Sequence, residues 1–310
     1  MSLAAVVIGR NEGQRLERCL QSLKGKVAQV IYVDSGSTDG SPEAARRLGA
    51  EVVALDMTRP FTAARARNAG VAVLGEGITL VQFLDGDCIL RDGWLEAAQA
   101  HLDAHPKVAV VCGRRREEQP EISIYNTLID QEWDTPAGEA LACGGDALMR
   151  LAALQEISGY RDDLIAGEEP ELCQRLRRAG GQIWRLDAEM TWHDAQITRF
   201  GQWWRRSLRA GHAFAEGAAL HGRGPDKHWV AETRRALLWG ALLPAVIVLL
   251  AFLWPLAALF LLLIYPLQLA RLARRGGLAW GFFTLLGKFP EALGALKYHL
   301  RRDGRIIEYR

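Results

Sequence analysis

Short apolar runs alternate with helical patterns through the first two hundred residues. The apolar runs at 3–8, 29–33, 51–55, 78–84 and 107–113 predict strands. Between them, apolar residues recur every three or four positions, as in an amphipathic helix, and Gly, Pro, Ser and Asp mark the turns. Continuous apolar strands separated by helices predict an α/β fold, with a mostly parallel sheet flanked by helices on both faces.

Further along the chain, the pattern changes to two long apolar runs that are almost free of charge. They span 236–253 and 255–272 and meet at Trp254-Pro255, a helix-breaking joint. A run of about 18 residues makes a helix roughly 27 Å long, slightly shorter than a hydrocarbon core of ~30 Å. The pattern predicts a C-terminal helical membrane hairpin. The alternatives are a hairpin that crosses the bilayer, a re-entrant hairpin, and an apolar hairpin that packs against a partner protein.

Charge divides the chain in the same way. The residues from 199 onward contain 17 Lys and Arg but only 6 Asp and Glu, whereas the whole chain contains 38 and 36. Basic residues flank both ends of the hairpin and its tip is uncharged, so both ends are expected to face the cytoplasm. These cations flank apolar runs and do not form a patch that tracks phosphates, so no nucleic-acid partner is expected.

These patterns predict four segments. They are a catalytic domain (1–198), an amphipathic interface helix with a linker (199–233), the membrane hairpin (234–275) and an amphipathic, interfacial C-terminal segment (276–310). The five cysteines include no C-x-x-C pair, which indicates a reducing compartment. The first apolar run is too short for a signal peptide. We therefore expect a protein of the cytoplasmic (inner) membrane whose catalytic domain faces the cytoplasm.

Polar motifs follow the predicted strands. They are GRNEG at 9–13, DSGSTDGS at 34–41, ARARNAG at 64–70 and DGD at 85–87. Loops that follow parallel strands meet at one edge of the sheet, so these motifs can form a single pocket. Carboxylates bind hard cations and accept hydrogen bonds from bases and ribose, and arginine pairs with phosphate. This combination favours a nucleotide-sugar site. The sequences typical of dinucleotide-binding and P-loop proteins do not occur, which argues against a dehydrogenase or an NTPase.

In this order, the motifs resemble those of a family 2 glycosyltransferase with the GT-A fold. VVIGRNE is similar to the opening motif V-x-I-P-x-x-N-E, with Ile8 in place of the proline. VDSGSTDGS is similar to V-D-D-G-S-x-D-G-T, and LDGDC to the D-x-D motif. GYRDDLIAGEEPELCQRLRRAGGQI resembles the acidic helix segment of the family, and TWHD resembles its trailing histidine. The resemblance covers about residues 3 to 215 and implies a GT-A nucleotide-sugar-binding fold and inverting chemistry.

The resemblance implies roles for the residues that match. Asp34 is expected to contact the nucleobase, Asp39 or Asp85 the ribose, and Arg67 the base or the diphosphate. Asn11 and Glu12 are expected to help bind the nucleotide sugar. Asp87 and His193 are the implied metal ligands, with Asp85 as a further candidate. A mixed oxygen and nitrogen ligand set favours Mn²⁺ over Mg²⁺ as the divalent metal, and Cys88 is interpreted as a small apolar residue.

The catalytic base is expected in the acidic helix segment. The Glu-Asp pair of the family falls on Glu168-Glu169, so Glu169 is the predicted base and Glu168 the alternative. Both residues lie at a predicted helix N-terminus, where the helix dipole is expected to lower the carboxylate pKa and keep the base ionised. Contacts to the acceptor or to phosphate are predicted for Asp146, Trp203, Arg205 and Arg206. For Trp203 and the two arginines, anchoring at the membrane surface is the alternative.

Together these expectations describe a membrane-anchored, metal-dependent, inverting glycosyltransferase of class EC 2.4 that transfers a hexosyl or N-acetylhexosaminyl group. The donor is a nucleotide-diphospho-sugar, with a UDP-sugar favoured. The acceptor is a membrane lipid or a lipid-linked glycan, because tethering at the bilayer raises the effective concentration of such acceptors. Such an enzyme serves cell-envelope glycan, glycolipid or exopolysaccharide synthesis. The alternatives are a soluble acceptor and a non-catalytic sugar-nucleotide or polysaccharide-binding component of a membrane export or synthase complex. A homo-oligomer is left open.

Overall fold

The computed structural model describes residues 2–301 of the chain, with side chains up to residue 300. The chain divides into two compact units, Met1–Gln196 and Ile197–Arg310. Residues 302–310 of the predicted C-terminal segment lie outside the described residues.

The described part of the first unit contains a nine-stranded sheet. Its strands are β1 (Ser2–Gly9), β2 (Gln29–Asp34), β3 (Glu51–Ala54), β4 (Ile78–Asp85), β5 (Cys88–Leu90), β6 (Val108–Glu117), β7 (Gly138–Ala140), β8 (Ala147–Arg150) and β9 (Gln182–His193). The strand order is β3-β2-β1-β4-β8-β6-β9-β5, and β7 pairs with β9. The neighbouring strands β3, β2, β1 and β4 are all parallel, whereas β8 is antiparallel to both of its neighbours, β4 and β6. The predicted α/β sheet is confirmed, and its second half is mixed.

Helices flank this sheet and form its core with it. They are α1 (Gln14–Leu23), α2 (Ser41–Arg47), α3 (Ala63–Val71), α4 (Trp94–Ala104), α5 (Ile124–Trp133), α6 (Leu151–Glu156) and α7 (Glu168–Arg178). In α1 the buried residues recur at helical spacing, and most of β1 is fully buried. Thr62 caps the N-terminus of helix α3, because its hydroxyl accepts the N–H of Arg65 at 3.0 Å. Gly70 of α3 has no room for a side chain, because a Cβ there would lie 2.4 Å from Val6 of β1.

The strand register brings the predicted polar motifs together. Gly9 at the end of β1 is paired with Asp34 of β2, and Ile8 is paired with Asp85 of β4. The loops that begin at 9, 34 and 85 therefore leave the sheet side by side, at the carboxyl ends of parallel strands.

The second unit is helical throughout its described elements. These are α8 (Phe200–His221), α9 (Val230–Leu237), a π-helical turn (Leu238–Leu242), α10 (Leu243–Leu253), α11 (Pro255–Leu262), α12 (Ile264–Leu286) and α13 (Lys288–Arg301). Helices α9 and α10 run on from each other across the turn.

Two helical stretches of the second unit are long and apolar enough to cross a membrane. They are Val230–Leu253 and Pro255–Leu300, whose apolar windows of 18 residues have mean hydropathies of 2.6 and 1.9. The break between them falls at Trp254, whose φ of −145° is not helical, as the sequence predicts. A second break lies at Gly277, which has a φ of 88° inside α12. The apolar side chains around the tip are exposed, among them Phe252 at 83 %.

Candidate active site

The first two loops at the carboxyl edge of the sheet are joined through Asn11. Its backbone N–H donates to Ser37 Oγ at 2.9 Å, and its Oδ1 accepts the N–H of Thr38 at 2.7 Å. Asn11 has a φ of 57°, a left-handed conformation that asparagine tolerates better than most residues. Asn11 therefore fixes the loop after β1 against the loop after β2.

Asp34 shapes the second loop from within. Its Oδ2 accepts the N–H groups of Gly36 and Ser37, each at 3.0 Å, and its Oδ1 accepts the hydroxyl of Tyr32 at 3.1 Å. The residue is buried at the end of β2. A carboxylate oxygen can accept more than one hydrogen bond. The structural role of Asp34 is therefore compatible with the predicted contact to a nucleobase.

The remaining carboxylates predicted near the donor lie on the same two loops. Glu12 forms an ion pair of 2.7 Å with Arg15 at the start of α1. Asp39 accepts the N–H of Ser41 at 3.0 Å. Burial alone would raise the pKa of Asp39, but its hydrogen bonds, chiefly from Ser41, outweigh burial and lower this pKa.

A buried arginine joins Asp85, predicted to bind the nucleotide sugar, to Glu169, the predicted catalytic base. Arg67 of α3 is 2 % exposed, and its Nη2 contacts Asp85 Oδ1 at 3.0 Å. Its Nη1 contacts Glu168 Oε1 at 3.0 Å and Glu169 Oε1 at 2.9 Å. One guanidinium thus connects the end of β4 with the first residues of α7.

A second arginine, Arg115 of β6, joins the cluster formed by Arg67, Asp85, Glu168 and Glu169 by contacting the other carboxylate oxygen of Asp85. Its Nη2 donates to Asp85 Oδ2 at 3.0 Å, and its Nε lies 3.3 Å from Asp146 Oδ2. Asp146 also accepts the backbone N–H of Asp85 at 3.2 Å and the hydroxyl of Thr191 at 2.7 Å. The predicted acceptor contact Asp146 is therefore a buried support of the cluster. No sequence motif indicates Arg115.

Asp85 has both carboxylate oxygens on arginines. Burial by itself would raise the pKa of Asp85, but Arg67 and Arg115 hold that pKa well below its usual range. Its predicted role as a metal ligand stays a prediction, because the structure directs its oxygens to guanidinium groups.

Asp87 and His193 converge on a separate point. Strand β5 is antiparallel to β9 and pairs Cys88 with His193, and this register places Asp87 Oδ2 3.3 Å from His193 Nε2. The Cys88 sulfur lies in the same group, whose potential ligand atoms are all within 4.8 Å of one another.

The chemistry of this group fits a divalent cation. Burial lowers the pKa of His193, and Arg115 lowers it further, so the imidazole is neutral and keeps a lone pair for a metal. Burial raises the pKa of the Cys88 thiol well above its usual value, so its sulfur is protonated. The available ligands are therefore a carboxylate oxygen and an imidazole nitrogen, which suit Mn²⁺ or a similar ion.

The predicted base does not behave as the helix dipole suggests. Glu169 follows Gly167 and Glu168 at the start of α7, but burial and the charge of Glu168 raise the pKa of Glu169 to about 7. The expectation of a lowered pKa is wrong, because the loss of hydration and a like charge outweigh the dipole and Arg67. A carboxylate with this pKa suits general-base catalysis near neutral pH.

Trp203, Arg205 and Arg206 belong to α8 in the second unit. Trp203 is buried against Phe200 and Phe283, with ring centroids 5.4 Å and 5.1 Å away. The predicted contacts of these three residues to acceptor or phosphate stay predictions.

Comparison with known proteins shows what this arrangement is similar to. Residues 5–155, almost half of the chain, match the family model described as Glycosyl transferase family 2. A pre-mycofactocin glycosyltransferase of Mycobacterium tuberculosis is 29% identical over 239 residues, which cover 73% of this chain and 48% of that protein. The succinoglycan biosynthesis protein ExoA of Rhizobium meliloti is 28% identical over 193 residues, covering 57% of this chain and 58% of that protein.

The chain thus spans about half the length of the curated relatives it matches. Among solved structures, it resembles the mannosyltransferase PcManGT from Pyrobaculum calidifontis, determined with GDP-Man and Mn²⁺. The TM-score is 0.69 at 20% identity, and the match covers 97% of this chain and 88% of the other. This likeness shows a shared fold, the GT-A architecture expected from the motifs.

Neighbouring glycines provide a matched test of the arginine cluster. A Cβ at Gly145 would lie 2.6 Å from Arg67 Nη2 and 2.9 Å from Asp85 Oδ2, whereas a Cβ at Gly144 would meet nothing within 4 Å. We expect Gly145→Ala to lower the free energy of unfolding by ~1–3 kcal/mol, because it overpacks a buried ion pair. Gly144→Ala should have little effect. Chemical denaturation of both variants in detergent measures the difference, and equal stabilities would contradict the described packing around Arg67.

Proposed function

We propose that this protein transfers a sugar from a nucleotide-diphospho-sugar, with a UDP-sugar favoured, to a hydroxyl of a lipid-borne acceptor. The observation that carries the proposal is the Arg67 cluster, which places the donor-side carboxylate Asp85 and the base candidate Glu169 on one guanidinium. The match to the glycosyl transferase family 2 model supports the reaction class, and the GDP-Man bound to the mannosyltransferase PcManGT supports a nucleotide-sugar donor.

The donor lies over the loops that follow β1, β2 and β4. Asp34 accepts hydrogen bonds from the base, and Asp39 or Asp85 accepts those of the ribose. Asn11 and Glu12 contribute through the first loop, whose position Asn11 fixes. Arg67 lies beside the nucleobase or the diphosphate, and the carboxylates of Asp85 and Glu168 balance its positive charge. The strand register supports these roles, because it brings the three loops to the same edge of the sheet.

Asp87 and His193 hold a divalent metal, with Mn²⁺ favoured over Mg²⁺ because one ligand is an imidazole. When bound, this ion stabilises the negative charge of the departing diphosphate as a Lewis acid. The Mn²⁺ in the mannosyltransferase PcManGT supports a divalent metal in this fold.

Glu169 acts as the general base. Its carboxylate takes the proton of the acceptor hydroxyl while that oxygen forms a bond to the anomeric carbon. The bond from this carbon to the diphosphate oxygen breaks, the nucleoside diphosphate leaves with its electron pair, and the configuration inverts. Glu168 raises the pKa of Glu169 by its charge, and Arg67 Nη1 orients both carboxylates. Glu168 is the alternative base.

The second unit anchors the enzyme in the cytoplasmic membrane. Its two apolar helices are long enough to enter a bilayer, and their exposed apolar side chains need a nonpolar environment. Basic residues at both ends of the hairpin support a cytoplasmic position for those ends and for the catalytic domain. An anchored enzyme meets lipid acceptors at high local concentration. The succinoglycan role in the name of ExoA supports cell-envelope or exopolysaccharide synthesis.

The pH dependence of turnover tests the base. With the pKa of Glu169 raised to about 7, its basic form increases as the pH rises, so kcat/KM should rise through about pH 7 and then level off. Glu169→Gln should lower kcat/KM by about 100-fold or more, because a positioned base contributes ~10²–10⁴-fold. The measurement is release of nucleoside diphosphate from a panel of UDP- and GDP-sugars with Mn²⁺.

Glu156→Gln, at an exposed position on α6, is the matched control and should retain wild-type turnover. Equal, slow release by the wild type and Glu169→Gln would favour a non-catalytic sugar-nucleotide-binding component. Loss of activity in Glu168→Gln alone would assign the base to Glu168.

The acceptor class is tested with the full chain reconstituted in phospholipid vesicles. Vesicles that contain a polyprenyl phosphate or a polyprenyl-linked sugar are compared with vesicles supplied with soluble sugars, using the donor found above. We expect a glycolipid whose mass exceeds that of the lipid by one sugar residue. Transfer to soluble sugars alone, or recovery of the protein in the supernatant after alkaline carbonate washing, would contradict the lipid acceptor and the membrane anchor respectively.

A further inference from the structure

Glu117 is a buried carboxylate on the side of His193, a candidate metal ligand, that is opposite to Asp87. It ends β6, and the parallel pairing with β9 places it directly beside His193. Its Oε2 lies 3.6 Å from His193 Nδ1, while the opposite ring nitrogen, Nε2, lies 3.3 Å from Asp87 Oδ2. The imidazole therefore stands between two carboxylates with one nitrogen towards each.

Hydrogen bonds hold the Glu117 carboxylate in place. Its Oε1 accepts the side-chain amide of Asn126 at 3.1 Å and, more weakly, the N–H of Gln119 at 3.4 Å. Its Oε2 accepts the N–H of Ala195, two residues beyond His193, at 3.1 Å. With a side chain that is fully buried and donors on both oxygens, Glu117 is fixed as a neighbour of the ring.

The histidine ring is also restricted from the side. Trp133 at the end of α5 contacts it edge to face, with centroids 4.8 Å apart and planes at 87°. The Cζ of Arg115 lies over the face of the same indole, 4.9 Å from the ring centroid. The orientation that directs Nε2 towards Asp87 is therefore set by groups on three sides.

We propose that Glu117 is a positioning residue that keeps the His193 proton on Nδ1 and the lone pair on Nε2, facing Asp87 and the metal. The inference rests on the metal site of the proposed function. At 3.6 Å the contact is longer than a hydrogen bond, and its effect is electrostatic, since a negative charge beside Nδ1 favours an N–H at that nitrogen. Carboxylates behind metal-bound histidines typically change metal affinity by about 10–100-fold.

The test combines metal affinity with the tautomer of the ring. Mn²⁺ binding is measured on the full chain without substrates, from the free-ion signal in electron paramagnetic resonance. ¹⁵N spectra of histidine-labelled protein report which nitrogen carries the proton, and the His193 signals are assigned by their loss in His193→Asn. In the metal-free wild type, Asp87 lies 3.3 Å from Nε2 and favours a proton there, so the test compares the Nδ1–H population of the wild type with that of Glu117→Gln.

Glu117→Gln should weaken Mn²⁺ binding about 10- to 100-fold and lower the population of the Nδ1–H tautomer. Glu117→Asp, which keeps the charge, should recover part of the affinity. The matched control is Glu118→Gln, because Glu118 is the next residue but pairs with Arg18 instead of His193. This control should bind Mn²⁺ as the wild type does.

Asp87→Asn separates the two possible failures. If Asp87→Asn loses Mn²⁺ binding while Glu117→Gln keeps wild-type affinity and tautomer, the role of Glu117 is wrong and the metal site stands. If Asp87→Asn binds Mn²⁺ like the wild type, the metal site of the proposed function is wrong, and the inference with it. Should Glu117→Gln fail to fold, Asn126→Ala removes one donor that fixes the carboxylate and should weaken Mn²⁺ binding several-fold. Unchanged affinity in that variant would overturn the proposal.

Discussion

The buried guanidinium of Arg67 is the interaction on which the rest of the site depends. An unpaired charge in this position would be strongly destabilising, so the chain must supply carboxylates wherever the guanidinium N–H groups point. It supplies Asp85 from the end of β4 and Glu168 with Glu169 from the start of α7. A planar guanidinium directs N–H groups to both elements at once, whereas a lysine ammonium, a compact point charge, does this less well. Gly70, one turn further along α3, lets this helix approach β1 closely enough for Arg67 to reach them.

The charges around Arg67 help to explain why the pKa shifts of Asp85 and Glu169 have opposite directions. Arg67 and Arg115 together contact more carboxylates than there are guanidinium groups: Asp85, Asp146, Glu168 and Glu169. Asp85 touches both arginines and stays ionised, whereas burial and the charge of Glu168, with which it shares one arginine, raise the pKa of Glu169 to about 7. The excess negative charge also favours a divalent cation nearby, at Asp87 and His193.

The sequence predicts five of the nine described strands (β1, β2, β3, β4 and β6), the loop motifs and the membrane-length helices, because apolar periodicity and strand-end polarity are local signals. It does not reveal Arg115 or Glu117, because β6 continues past its apolar run into GRRREE, which reads as a charged turn. Their spacing of two residues on one face of a strand is the signal that would have indicated them. The pKa of Glu169 was predicted in the wrong direction because burial and the proximity of Glu168 depend on tertiary packing, which the helix dipole alone does not represent.

The D-x-D motif shows how one residue of spacing separates two chemical roles. Gly86 donates its N–H to the carbonyl of Ile8 at 2.8 Å, so the chain continues along β1 for one residue beyond Asp85. A Cβ at this glycine would lie 3.2 Å from that same carbonyl oxygen, which leaves little space for a side chain. The aspartates on either side consequently have different partners, with Asp85 on the arginines and Asp87 on His193. Two carboxylates that look equivalent in the sequence therefore differ in their charge environment, because Asp85 contacts two arginines and Asp87 lies beside His193.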